Sequence, residues 1–155
     1  MDSNCIVIED AQLMFTNFSG FESKFNAKGN RNFSVVIPDK DLADQLLADG
    51  WHVKMLEARN EDEKPIYLLK VKVNFNSQRP PKVVMVTERG NMTKLNEETI
   101  DILDSADIIK SDVEINPYRN EKFQGVSAYL KTLYVTISED RFAEKYSNNE
   151  SNEEF

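Results

Sequence analysis

The sequence predicts a mainly β domain, a small antiparallel barrel with two or three short helices inserted at its periphery. Three observations point there. Six or seven segments are rich in β-branched and aromatic residues and stop at turn formers. The clearest, IYLLKVKVNF, puts Tyr67, Leu69, Val71, Val73 and Phe75 on one face and Leu68, Lys70, Lys72 and Asn74 on the other. Helical patterns are few and short, which argues against a parallel sheet layered between helices.

The elements follow in order. QLMFTNFSG reads as a short strand ending at Gly20, and FESKFNAKGNRN as a loop dense in turn formers. NFSVVIP is the next strand and stops at Pro38. PDKDLADQLLADGW is a helix capped by Asp39, with Asp41 near the positive end of its dipole and Gly50 placed to end it. Trp51 to Glu57 reads as a strand, and Asn60 to Pro65 as an acidic turn. After IYLLKVKVNF come the loop NSQRPP and the strand KVVMVTERG. NEETIDILDSAD reads as a second helix, capped by Asn96 and anchored by Ile100 and Leu103. DVEINPY and GVSAYLKTLYVTI form the last strands, joined by RNEKFQ. Ser138-Glu139-Asp140 begins a short final helix carrying Phe142 and Tyr146. This gives a folded domain at 1–146 and a flexible acidic tail at 147–155.

The chain of 155 residues, 40% hydrophobic, is long enough for one domain with its own core. The first residues lack the basic start and apolar run of a signal peptide, and no stretch approaches a membrane span. With one cysteine, Cys5, no internal disulfide and no thiolate zinc cluster is available. These features predict a soluble intracellular protein without membrane association.

The net charge of −8 argues against a nucleic-acid binder when taken as a mean, but the charge is segregated. Lys64 to Lys94 holds seven basic residues against Glu88 alone, and Lys24 to Val36 holds three bases and no acid. Glu97 to Glu114 holds seven acids against Lys110, and Ser147 to Phe155 three acids and no base.

Catalytic motifs are missing. There is no phosphate loop, no GxGxxG and no GxSxG elbow. A Ser-His-Asp triad has only His52 to draw on, and its place between Trp51 and Val53 suits a surface or structural histidine. Asp101, Asp104 and Asp107 recur at spacings of three, which a solvated helix face explains without a metal, and no loop has the EF-hand pattern. The expectation is a protein with no catalytic residues, no metal and no cofactor.

The sequence does carry cations interleaved with aromatic rings. Phe18, Phe21, Phe25 and Phe33 surround Lys24, Lys28 and Arg31, and Tyr67 and Phe75 bracket Lys70 and Lys72. Arg79 and Lys82 flank Pro80-Pro81, with Arg89 and Lys94 following. Tyr118, Arg119, Tyr129 and Lys131 repeat the mixture. A single strand of nucleic acid requires this combination: cations for its phosphates and rings for its bases, with little reading of sequence. The first two of the expected helices are acidic, so base contacts fall to strands and loops. The aromatic residues must also supply a core. Tyr67 and Phe75 lie on the apolar strand face, and Phe15, Phe33 and Tyr134 fit either role. The candidate contacts to a single-stranded nucleic acid are therefore Lys24, Lys28, Arg31, Lys70, Lys72, Arg79, Lys82, Arg89, Lys94, Tyr118, Arg119, Tyr129 and Lys131.

SNNESNEEF, an acidic tail ending in Phe, resembles the C-terminus of bacterial and phage single-stranded DNA-binding proteins. The segments GNRNF, DGW, RPPKVV and AYLK resemble a phage family of that description, over roughly Met14 to Tyr146. The resemblance implies an OB-like barrel that lays single-stranded DNA across one sheet face during phage replication or recombination, in the cytoplasm of the bacterial host. It also implies that Glu150, Glu153, Glu154 and Phe155 recruit replication or recombination proteins. The tail is shorter than the linkers many such proteins carry: nine extended residues reach at most about 30 Å. An edge strand or the tail can also mediate a homodimer. A different reading makes the Glu97–Glu114 cluster the active surface of a small acidic phage inhibitor that mimics DNA, and another makes the chain a virion or assembly protein.

Overall fold

In the computed structural model, which describes residues 5–24, 26–57, 60–119 and 125–138, nine strands follow along the chain: β1 (Ile6–Ala11), β2 (Leu13–Asn17), β3 (Arg31–Ile37), β4 (Val53–Leu56), β5 (Ile66–Val73), β6 (Lys82–Thr87), β7 (Met92–Leu95), β8 (Ile108–Arg119) and β9 (Val126–Ile137). One α-helix, α1 (Lys40–Ala48), lies between β3 and β4, and a 3-10 turn (Ile100–Asp104) precedes β8. The hydrogen-bonded order is β1-β8-β9-β5-β3-β2, with β4 added to β5, and β6 joining β9 to β7.

This architecture is mainly β, as expected, and consistent with an OB-like fold, but its ladder does not close. The two ends of the main path, β1 and β2, are consecutive in the chain and separated only by Gln12. Asp10 turns with φ 51 while its N–H donates to Asp112 Oδ1 of β8 at 3.0 Å. Immediately afterwards Gln12 O accepts from Val36 N–H of β3 at 2.9 Å. The chain thus leaves one end and joins the other across a single kink. Pairing is mostly antiparallel, yet β9 runs parallel to β5 at Val71↔Ala128 and Lys72↔Tyr129, and parallel to β6 from Lys82↔Thr132 to Thr87↔Ile137.

Alternation decides what faces inward. Phe33, Val35 and Ile37 of β3 and Leu69, Val71 and Val73 of β5 are buried, and with Val113, Ile115, Leu133 and Val135 they form one core. Each such side chain contributes about 1.5–3 kcal/mol on burial. Phe18 and Phe33 are fully buried with centroids 5.4 Å apart, so these two rings serve the core and not a ligand.

The helix α1 forms as expected. Asp39 caps it, accepting from Leu42 N–H at 2.7 Å, and Ala43 and Leu46 face the core. Its end is fastened to β9: Gly50 O accepts from Val126 N–H at 2.8 Å. Gly125 is required there. It has φ +94, and a Cβ would stand 2.6 Å from Cε1 of His52. His52 is thus a surface residue packed on the start of β9.

The second helix expected at NEETIDILDSAD is only the 3-10 turn. Asn96 does organise its start, Oδ1 accepting from the N–H groups of Glu98 and Thr99, and Ile100 and Leu103 are buried anchors. A three-residue spacing between two anchors suits a 3-10 turn. Asp101 and Asp104 with Ser105 give little helix propensity to extend it. Two strands had no expectation in the sequence: β1, whose charged Glu9 and Asp10 interrupt alternation, and the four-residue β7. The strand read from QLMFTNFSG ends at Asn17, because Asp104 captures the next backbone groups. The final helix expected after Ser138, the domain boundary at 146 and the tail lie outside the described residues.

Candidate nucleic-acid interface

Directly paired residues of neighbouring strands share a face. Following the register across the sheet gives one row on the outer face: Asn17 of β2, Asn32 of β3, Lys72 of β5, Tyr129 of β9 and Asn116 of β8. Two residues along β5, Lys70 pairs with Ser34. Toward the other end of β9, Lys94, Val84, Tyr134 and Asp112 form a second row. The segments 24–36 and 64–94, separate basic clusters in the sequence, meet here as neighbouring strands.

The first row is polar, cationic and aromatic. Lys72 Nζ lies 5.7 Å from the Tyr129 ring centroid. Tyr129 meets Tyr118 edge-on, with centroids 5.6 Å apart and planes at 73°. Tyr118 is 51% exposed. These rings border a groove of about 360 Å³, completed by Asn74, Ser77, Arg79 and Asn116. Asn116 is held by the Cys5 thiol, which donates to its Oδ1 at 2.9 Å. On β6, Lys82 Nζ lies 5.4 Å from the Tyr134 ring centroid. Among the described residues, Lys70, Lys72, Arg79 and Lys82 form no ion pair.

Other candidate cations are placed differently. Arg31 alternates with Asn32, so it leaves the outer face. Its guanidinium lies 3.7 Å from Glu97 Oε1 and donates to Glu97 O, and its Nε is buried without a partner. Lys131 is the extra residue of a bulge, because Glu114 pairs with Thr132 while Ile115 pairs with Leu130. Its Nζ lies 3.4 Å from Glu114 Oε2. Lys24 and Lys28 are exposed on the β2–β3 loop, at the Asn17–Asn32 end of the row. Arg89 and Lys94 are exposed on the β6–β7 hairpin, and Arg119 at the end of β8.

The β2–β3 loop has its own scaffold. Asn26 Nδ2 donates to the carbonyls of Phe21, Ala27 and Asn30, and Asn32 Nδ2 donates to Asn26 Oδ1. Asp104 accepts from the N–H groups of Phe18 and Ser19, both at 2.8 Å. Asp104 therefore works as an anchor between the 3-10 turn and the loop. Among the described residues no group of His, Cys, Asp or Glu is arranged to hold a metal, and no helix is long and apolar enough to cross a membrane. The polar groove residues Asn74, Ser77 and Asn116 carry no signal in the sequence beyond Asn74's place on the outer face of β5.

The sequence decides the family. Residues 2–154 match the family model described as "Putative phage ssDNA-binding domain". The chain belongs to this family. Among solved structures it is similar to the single-stranded DNA-binding protein from bacteriophage Enc34. A C-terminally truncated form of that protein has TM-score 0.54 and 10% identity, covering 89% of this chain and 88% of that one. The same protein in complex with ssDNA has TM-score 0.52 and 10% identity, with 90% of both chains covered. A third structure of it has TM-score 0.51 and 12% identity, covering 92% of this chain and 86% of that one. At such identities the likeness is one of fold. Among curated proteins, none matches the chain.

Proposed function

We propose that the chain binds single-stranded DNA without strong sequence preference, in phage DNA replication or recombination within the host cytoplasm, and that its role is binding and not catalysis. The observation that carries this is the outer-face row Asn32–Lys72–Tyr129–Asn116. It offers a cation, Lys72, next to a stacking ring, Tyr129, with Lys70 on the same face, and it borders a groove that Tyr129 shares with Tyr118, Arg79 and Asn116 and that no carboxylate lines among the described residues. The family supports the ligand, and a relative of the same fold is known in complex with ssDNA. Several acids of the Glu97–Glu114 segment have structural partners: Glu97 holds Arg31, Asp104 the β2–β3 loop, Asp112 the N–H of Asp10, and Glu114 Lys131. That is a poor surface for a DNA mimic.

The tail, with Glu150, Glu153, Glu154 and Phe155, fits recruitment of a replication or recombination protein by a pocket with a basic rim. An edge strand offers a route to a homodimer.

A gel shift with labelled poly-dT and a matched duplex, at low and moderate salt, tests the central reading. Strong preference for poly-dT is expected, with log K falling by about 0.7 per phosphate contacted for each tenfold rise in salt. Equal or absent binding to poly-dT overturns it. Removing Ser147–Phe155 is expected to tighten binding at low salt by lifting competition for the cations; unchanged affinity removes that role from the tail.

A further inference from the structure

We propose that Phe15 is a nucleobase-stacking residue, and that the groove beside it carries the single strand onward from the Lys72–Tyr129 row. This rests on the single-stranded DNA reading above and adds a subsite to it.

Phe15 is unusual in two respects at once. Its backbone has φ 51, a left-handed conformation that a bulky side chain rarely adopts. Yet its side chain is 66% exposed, so burial of the ring does little to offset that conformation. The cause is local. Between the Met14↔Ser34 and Asn17↔Asn32 pairs, β2 has one residue more than β3. Such bulges re-aim a side chain, and they recur beside functional sites. Here the bulge turns an aromatic ring outward on the face that carries Lys70 and Lys72.

The ring borders a groove of about 660 Å³ between β3, β5, β4 and the end of α1. Its apolar part includes Trp51, Leu56 and Leu68, and Lys54 and Lys70 supply cations. Among the described residues no Asp or Glu lines it, although the chain has 27 acids against 19 bases. Apolar surface with cations and no anion matches a polyanion that carries flat bases. The groove is also continuous with the row already described. Lys70 lines it, and Lys72 follows on the same face of β5, about 7 Å away. A strand contacting Lys72 is thus led past Lys70 to the ring of Phe15.

The test uses the full chain carrying Phe15→Gly, with oligo-dT of increasing length. Glycine accepts the left-handed backbone and removes the ring. Thermal stability is therefore expected to hold or rise, while affinity for a 20-mer falls about tenfold with an unchanged salt slope. A 4-mer, short enough for the Tyr129 groove alone, is expected to bind as to the unaltered chain. Phe15→Trp is expected to retain affinity and to show quenched fluorescence on binding. Lys54→Glu is expected to weaken the 20-mer and flatten its salt slope.

Equal affinity of Phe15→Gly and the unaltered chain at every length overturns the proposal and leaves the DNA reading intact. Failure of the unaltered chain to bind any oligo-dT overturns the DNA reading itself. A fall in melting temperature with Phe15→Gly assigns the ring to packing and overturns the proposal. So does a Phe15→Gly effect that disappears once Ser147–Phe155 is removed, because the groove then belongs to the tail.

Discussion

Two sets of lysines on the same sheet differ in what stands beside them. Lys72 and Lys82 lie near tyrosine rings, Tyr129 and Tyr134. Lys131 and Lys110 lie near carboxylates, Glu114 and Asp10. The difference comes from strand position. β5 and β6 face β9, which brings tyrosines, whereas β8 brings Asp112 and Glu114 and β1 brings Asp10. A ring orients a cation without cancelling its charge, while a carboxylate cancels it at short range. Net charge therefore says little about affinity for a polyanion. What matters is which cations keep their charge, and where a base can stack beside them.

The largest test of that contrast is a pair of double reversals. Lys70→Glu with Lys72→Glu is expected to weaken poly-dT binding by about 100-fold or more. It should also lower the salt slope by about 1.4, the share of two phosphates. Lys110→Glu with Lys131→Glu makes the same change in total charge. Its expected loss is at least about tenfold smaller, since charges already paired at the surface contribute little. Titration by fluorescence anisotropy at several salt concentrations measures both. Equal losses would mean that only total charge counts, and the contrast would be broken.

The stacking half of the comparison rests on Tyr129. Tyr129→Ala removes a stacking face together with the partners of Lys72 and Tyr118. A loss of about tenfold in poly-dT affinity is expected, with the salt slope kept, and Tyr129→Phe should restore binding. A changed slope after Tyr129→Ala would mean that the ring positions Lys72 and does not stack.

How much of this was legible in the sequence depends on whether the signal is local. The outward Lys70 and Lys72 and the inward Leu69 and Val71 followed from period-two alternation alone. The partners of those lysines did not, because the Lys72–Tyr129 contact needs a parallel pairing of strands far apart in the chain. Arg31 illustrates the same limit. In the sequence it stands among bases and aromatics, and only the fold places Glu97 beside it. Asp104 looked like one carboxylate of a solvated helix face. Its role as an anchor depends on Phe18 and Ser19, which the fold brings to it from the β2–β3 loop. Bulges are equally silent, since nothing in LMFTN marks Phe15 as the residue turned out.

That anchor separates structural acids from free ones. Asp104→Ala leaves the N–H groups of Phe18 and Ser19 without their acceptor. It is expected to lower stability by about 1–3 kcal/mol in thermal or urea unfolding. DNA affinity should change little, apart from the share carried by the β2–β3 loop. Unaltered stability would mean that water replaces the carboxylate, and Asp104 would rejoin the solvated acids.

The smallest effect cuts most directly between the two sets. Glu114→Gln converts Lys131 from a carboxylate-paired lysine into an unpaired one, on the strand that carries Tyr129, and removes a negative charge from the outer face. The pair is partly exposed, with side chains 42% and 32% accessible for Lys131 and Glu114, so its loss should leave the melting temperature nearly unchanged. Affinity for poly-dT is expected to rise about two- to fivefold at low salt. The salt slope should steepen by up to about 0.7 as Lys131 acquires a phosphate. A rise without a steeper slope would mean that Glu114 acts only by repelling the strand. A fall in affinity would mean that the ion pair shapes the bulge at Lys131, and that a neighbouring carboxylate helps the interface by position more than it opposes it by charge.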